Sequence, residues 1–280
     1  MNSKMIFMDP KIECGDEYFP NLYNLKIKSG GEDLIGSMLT SGEKGPCPTI
    51  ILLHGFPGYE DNHDLAHSLR RCGINVLIFH YRGCWGVKGR FSFSNCIEDV
   101  KNVIDFVTDK KNIITYKIDK KNIFLVGHSM GGFLTLTHCT DRRIKASVAI
   151  SPYDFGLKGC VMKEDEEELK DGINMFSTAI LPLNDTDTMT LVKEVMINGD
   201  MWRLSNKAEE LSKEKILIIA ATVDDVGPNN LHHIPLMKEI YKYNKNNVKE
   251  IFINTDHSYS NKRILLSKIV AEYIENIYNG

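Results

Sequence analysis

The sequence predicts an α/β fold, a parallel sheet buried between layers of helices. Two observations carry this. Short apolar runs rich in Ile, Val and Leu recur without polar alternation, which is the composition of strands covered on both faces. Between them lie segments whose apolar residues fall three and four apart, the spacing of helices with one buried stripe. Strand then helix, repeated, gives parallel pairing through right-handed crossovers.

Before Pro46 the pattern differs: LYNLKIKS, the pair Gly30-Gly31 and DLIGSMLTS read as an antiparallel hairpin leading into the sheet. The strands that follow are TIILLH (Thr49–His54), NVLIFH (Asn75–His80), NIFLV (Asn122–Val126), ASVAI (Ala146–Ile150), ILIIA (Ile216–Ala220) and EIFIN (Glu250–Asn254). Helical spacing marks HDLAHSLRRC, CIEDVKNVIDFVTD, GGFLTLTHC, NLHHIPLMKEIYKY and RILLSKIVAEYIENIY. One stretch breaks the alternation. Between Ile150 and Ile216 the chain runs far longer than a βα connection, through KEDEEELKDG and then MFSTAILPLNDTDTMTLVKEVMINGDMW. Its apolar residues Met175, Phe176, Ile180, Leu181, Met196, Met201 and Trp202 favour a packed helical cap over disorder, and the acidic run reads as a solvated helix face. The expected organisation is a core of residues 1–152 and 206–280 with a cap at 153–205. The cap is expected to cover the site, with Phe176, Leu181 and Trp202 packed beneath it, and deletion of Gly159 to Met201 is expected to leave a folded sheet.

A chain of 280 residues, 42% hydrophobic and 25% charged, is long enough for one large core. A net charge of -3 and a pI near 6.3 provide no field that would draw nucleic acid or an anionic membrane, so the expected partner is a small molecule; a homodimer is left open. Seven cysteines, an odd number without a C-x-x-C pair, make neither a disulfide framework nor a zinc motif. They read as buried free thiols and favour a reducing cytoplasm. MNSKMIFMDPK falls short of a signal segment, and no apolar run reaches membrane length.

The chemistry is concentrated in LVGHSMGGFL, Leu125 to Leu134. G-H-S-M-G places Ser129 between two glycines, after a strand and before a helix, which is the setting of a nucleophile elbow. A glycine-rich turn with an incidental serine accounts for the motif alone but not for both flanks. At such a turn the serine backbone is strained, and neighbouring side chains would crowd it. The helix from Met130 onward presents unpaired N–H groups to a developing oxyanion. A nucleophilic serine needs a base and the base an orienting acid, here in the chain order serine, acid, histidine. His257 in NTDHSY follows the strand EIFIN and is the base candidate. The acid candidate is Asp224 or Asp225 in ATVDDVGP, past the strand ILIIA, at the sheet edge where ligands gather in open parallel sheets. HGFPG, His54 to Gly58, follows the strand TIILLH directly across from the elbow.

Together HGFPG, FHYRGCWGVKG, GHSMGG, VDDVGP and DHSY resemble, in order, an α/β-hydrolase of the cytoplasmic esterase, monoacylglycerol lipase and prolyl-oligopeptidase-like group, from about Pro48 onward. The resemblance implies a mostly parallel eight-stranded sheet, helices on both faces, a helical cap after the sixth strand, and hydrolysis of an ester, thioester or amide without cofactor. Cinnamoyl and feruloyl esterases are the nearest guess. It also implies that the Phe56 N–H joins that of Met130 in the oxyanion hole, and that Asp224 is the acid, with Ala221 in the place of the family's glycine. Two positions depart from the family pattern. His80 stands where Asp or Asn is usual, and Val87 where a small serine is usual.

The expected activity is a serine hydrolase, most simply a carboxylesterase, acting on a small apolar acyl substrate through an acyl-enzyme. The alternatives are a non-catalytic small-molecule binding protein on the same fold, an acyltransferase, or an aminopeptidase-type hydrolase. Tyr59, Trp85, Phe176 and Trp202 are candidate pocket residues, and Phe91 and Phe93 belong to the wall or the core. HDLAH has the i, i+4 histidines of a zinc helix, but aspartate replaces the usual glutamate and no third ligand is placed, so no metal is expected. His232 and His233 read as surface groups.

Overall fold

A computed structural model describes residues 1–9, 19–244 and 246–280; one of the seven cysteines, Cys14, lies outside them. Its eight strands are β1 (Asn21–Ser29), β2 (Glu32–Thr40), β3 (Cys47–Leu53), β4 (Asn75–Phe79), β5 (Ile118–His128), β6 (Ile144–Ile150), β7 (Ile216–Ala221) and β8 (Val248–Ile253). They form one sheet in the order β1-β2-β4-β3-β5-β6-β7-β8. β2 runs antiparallel to both β1 and β4, and every other pairing is parallel. The hairpin, the six following strands and the mostly parallel sheet of eight therefore stand as the sequence and its resemblance imply. Every residue of β3 and of β7 is buried, whereas β8, at the sheet edge, leaves Phe252 half-exposed.

The helices are α1 (His63–Arg71), α2 (Phe93–Thr108), α3 (Lys110–Thr115), α4 (Met130–His138), α5 (Phe155–Glu164), α6 (Glu166–Ser177), α7 (Thr188–Trp202), α8 (Ala208–Leu211), α9 (Asn229–His232), α10 (Ile234–Ile240) and α11 (Arg263–Asn279). NLHHIPLMKEIYKY reads as one helix but is two, α9 and α10, joined at His233. Pro235, at the second position of α10, has no N–H to continue the ladder, and its ring excludes the preceding carbonyl. Side-chain alternation along the strands divides the core. Ile51, Leu53 and Leu125 join α2 and α4 in one apolar cluster, while Ile50, Leu52, Phe124 and Val126 join α1 and α11 in the other.

The segment between β6 and β7 folds into α5, α6 and α7. Each starts at an aspartate whose side chain accepts backbone N–H groups: Asp154, Asp165 and Asp187. α5 and α7 pack backbone to backbone, since a Cβ on Gly159 would lie 2.2 Å from the Val195 carbonyl oxygen. The acidic side chains of this stretch face solvent except at Glu168, which pairs with the buried amine of Lys158.

This segment is fastened to the rest of the molecule at several points. Glu194 accepts from the N–H groups of Phe93 and Ser94, at 3.0 and 2.8 Å, and so caps α2 from outside. Asn184 donates its backbone N–H to Gly83 and its side-chain amide to Val87. Asp154 accepts from Leu157 and from Leu204, tying the entrance of the segment to its exit. Phe176, Leu191, Val192, Val195 and Trp202 belong to the same buried cluster as α2 and α4. Leu181 and Met201, expected to pack, are instead exposed; Leu181 is 90% accessible because it sits on the turn after α6 and points away from the core.

The expectation that removing Gly159 to Met201 leaves a folded sheet is therefore reversed. Deletion strips Phe176, Leu191, Val192 and Val195 from a shared core, at roughly 2–5 kcal/mol for each large apolar side chain lost. That sum, about 8–20 kcal/mol, is as large as the whole stability of an ordinary domain. The deleted protein should lack a cooperative unfolding transition in a thermal melt followed by circular dichroism. A transition at the parent temperature would mean that the segment is an independent unit.

Candidate active site

The carboxyl ends of β3, β5, β6 and β7, and the loop after β8, meet at one edge of the sheet. Ser129 stands between β5 and α4 with φ 56° and ψ -115°, a left-handed backbone that costs a side-chain-bearing residue about 1–3 kcal/mol. Its backbone is held on both sides: the N–H donates to Ile150 at 2.9 Å, and the carbonyl accepts from Phe133 and Tyr153. As the first residue of α4, Met130 has no helical carbonyl one turn back for its N–H.

The loop after β3 lies against the elbow. A Cβ on Gly55 would sit 3.1 Å from that of Ser129, which places the backbone of Gly55 against the elbow. The Phe56 ring packs among Phe91, Phe93 and Phe176, with centroids 5.3–5.7 Å away. The Trp85 indole N–H donates to the Pro57 carbonyl at 2.7 Å, so the next loop pins this one.

Of the neighbouring aspartates after β7, Asp224 meets the imidazole and Asp225 is exposed. His257 Nδ1 donates to the Asp224 carboxylate, with its oxygens at 2.9 and 2.8 Å. Asp224 Oδ1 also accepts from the N–H groups of Val226 and Gly227. Burial alone would raise this carboxyl, but the hydrogen bond and charge of His257, the Gly227 N–H and the Ser151 hydroxyl outweigh it and hold it below its ordinary value. With Nδ1 committed to the carboxylate, the lone pair of His257 is on Nε2, which is buried and has no hydrogen-bond partner. Asp256 instead accepts from Ser260, its own loop neighbour.

Sequence reasoning passed over three residues here. His128, the variable residue before the serine in the motif, lies with Nε2 2.8 Å from the His257 carbonyl. Burial keeps it neutral, at about 3, so Nε2–H is the donor. The Ser151 hydroxyl and the Tyr259 hydroxyl are 3.0 Å apart, and Tyr259 donates to the Ile219 carbonyl, which joins β7 to the histidine loop. Their traces in the quoted motifs are the histidine of GHSMG and the tyrosine of DHSY. His232 and His233 were read as surface groups and are buried. His232 Nδ1 accepts from the Asp154 N–H with its ring 4.0 Å from that of Tyr153, and His233 pairs with Glu250 at 2.9 Å, because α9 turns inward between α5 and the sheet. His63 and His67 are exposed.

The candidate pocket residues separate into two pairs. Tyr59 and Trp85 are exposed and meet edge to face at 5.6 Å. Phe176 and Trp202 are buried, the first among Phe56, Phe93 and Phe155, the second against Phe133. Phe91 and Phe93 are core residues, each 1% accessible. Among the described residues no helix is long and apolar enough to cross a membrane, and all six cysteines are free, five of them buried.

A serine elbow and a paired histidine and carboxylate, at the carboxyl edge of a sheet in this strand order, define the hydrolase class of α/β proteins. The chain belongs to the alpha/beta hydrolase family, whose pattern it matches over residues 50–212. Among solved structures it is similar to the esterase Pf2001 of Pyrococcus furiosus, at TM-score 0.67 and 18% identity over 92% of this chain and 91% of that one. It is equally similar to Est1E from Butyrivibrio proteoclasticus, at TM-score 0.67 and 19% identity over 92% and 99%. The alpha/beta hydrolase GrgF from Penicillium sp. sh18 follows at TM-score 0.65 and 13% identity over 91% and 98%.

The buried histidines set an acid limit on stability. Desolvation lowers His54, His128 and His232 to about 3 and His138 to about 4, against about 6.5 in an unfolded chain. A folded pKa below the unfolded one gives stabilisation that is complete above about 6.5 and lost as the pH falls. Asp154, raised to about 6 by burial, binds a proton in the folded state and offsets part of the loss. Unfolding between pH 6 and 5 should therefore take up about three protons net, and urea denaturation should show stability falling by roughly 4 kcal/mol per pH unit. A flat profile over that interval would contradict this assignment.

Proposed function

We propose that the protein is a serine hydrolase, most simply a carboxylesterase, acting without cofactor. Ser129 Oγ attacks the substrate carbonyl while His257 Nε2 takes its proton. Asp224 holds the imidazole in the tautomer that leaves Nε2 free and stabilises the imidazolium as it forms. The N–H groups of Phe56 and Met130 receive the oxyanion. His257 then returns the proton to the leaving alcohol, and water repeats the two steps on the acyl-enzyme. The observation that carries the reading is the Asp224–His257 pair with Nε2 unpartnered, on a loop joined to the serine elbow by His128. The helical segment from Tyr153 to Ser205 acts as a cap and steadies the oxyanion loop through the contact of Phe176 with Phe56.

The substrate is an ester of a small, largely apolar acyl group. Tyr59 and Trp85 form an aromatic rim, and one of the similar structures is Est1E with ferulic acid bound, so a hydroxycinnamate ester is the first compound to try. Free thiols are in keeping with work in a reducing cytoplasm.

An active-site-directed fluorophosphonate should label the wild type and fail on Ser129→Ala, with labelled protein counted by intact mass. A folded wild type that refuses the label would favour a non-catalytic binding protein. Asp224→Asn should lower kcat on an accepted ester by about four orders of magnitude, whereas Asp225→Asn should remain near wild type. The reverse result would move the acid by one residue.

A further inference from the structure

His80, where the family pattern has Asp or Asn, plays no part in the proposed reaction, and its surroundings suggest what it does. One ring nitrogen of His54, one of His80 and Cys84 Sγ lie within 4.8 Å of one another, brought together by the ends of β3 and β4 and the loop after β4. His54 Nδ1 donates to the Gly55 carbonyl at 2.7 Å, which fixes its tautomer and leaves the lone pair on Nε2. That Nε2 is buried with no hydrogen-bond partner, as is His80 Nδ1. On the lining of the same cavity Asp61 carries a buried carboxylate oxygen, Oδ1, that is also without a partner. Buried ring nitrogens without partners on both histidines are costly unless something binds there. His54, His80 and Asp61 line one cavity of about 680 Å³, with Lys26, Ile35 and His63 on its other walls, so the cluster has a route to solvent.

We propose that His54, His80 and Cys84 form a zinc-binding site, with Asp61 supplying the fourth donor or holding a water that does. Two imidazoles and a thiolate are the donors of a borderline-soft divalent ion and not of calcium or magnesium. Donors of a tetrahedral zinc stand about 3.3–3.6 Å apart, so the group has to draw in by about 1 Å. Cys84 exchanges its thiol proton for the metal and releases it to solvent. Because His54 lies two residues before Phe56, the ion would clamp the loop after β3 to the loop after β4, in addition to the indole hydrogen bond of Trp85.

The expectation of no metal came from the spacing of His63 and His67, and those two exposed residues are the natural competitor site. The test uses the full-length protein without an affinity tag, stripped with chelator and titrated with Zn²⁺ against a chromophoric chelator, and separately with Co²⁺. One equivalent should bind, and the Co²⁺ form should show a thiolate-to-metal charge-transfer band. His80→Asn and Cys84→Ser should each weaken Zn²⁺ binding by tenfold or more, Cys84→Ser should abolish the band, and His67→Ala should change neither. Absence of binding, binding unchanged in His80→Asn, or loss of binding in His67→Ala would overturn the proposal. Because Cys84 is fully buried, His80→Asn at a half-buried position keeps the test decisive if Cys84→Ser fails to fold. Fluorophosphonate labelling of the same samples reports the serine site separately, so the two readings can fail independently.

Discussion

The close approach of α4 to the ends of β3 and β5 is the constraint on which the rest of the site depends. A Cβ on Gly131 would lie 2.0 Å from the Leu53 carbonyl oxygen, and one on Gly127 would lie 2.1 Å from that of Gly131. Both obstacles are backbone, which cannot swing aside as a side chain can. The helix can start where it does only because these two positions carry no side chain, and the start of the helix forces Ser129 into its left-handed backbone. The same contact sets the loop after β3 beside the serine. One steric condition therefore brings together the hydroxyl, the helix N-terminus and the His54–Gly58 loop, which come from three elements.

The histidine loop is held differently, by hydrogen bonds in addition to the packing of Tyr259 in the core. His128 reaches the His257 carbonyl, Tyr259 reaches the Ile219 carbonyl and the Ser151 hydroxyl, and Asp224 takes two backbone N–H groups as well as the imidazole. All of these groups but the Val226 N–H are wholly or largely buried, where an unmade bond is expensive, so the loop has few alternative arrangements of comparable energy. His128 is central because it is covalently next to Ser129 and bonded to the backbone of His257. A rigid sheet edge and a hydrogen-bonded loop thus meet through one neutral imidazole.

Much of this was legible in the sequence, for identifiable reasons. Buried strands announce themselves as apolar runs, and β3, β5, β6 and β7 are such runs; the serine elbow needs glycines at fixed offsets, and those offsets can be read directly. What pairs across long separations could not be read. Nothing in the spacing joins His128 to His257, Asp154 to Leu204, or Glu194 to the start of α2. The burial of His232 and His233 was hidden because composition near a helix break does not reveal which way the helix turns. Leu181 was misjudged because an apolar residue on a turn looks, in sequence, the same as one on a helix face. The convergence of His54, His80 and Cys84 was hidden for the same reason as the hydrogen bonds: three chain positions meet only after the sheet has formed.

The attachments of α5, α6 and α7 bear on how that segment can move. Glu194, Asn184 and Asp154 fasten it to α2, to the loop after β4 and to its own exit, so displacing it as one body breaks several hydrogen bonds at once and uncovers apolar surface shared with α2 and α4. Such a segment yields together with the sheet it is fastened to, and not ahead of it.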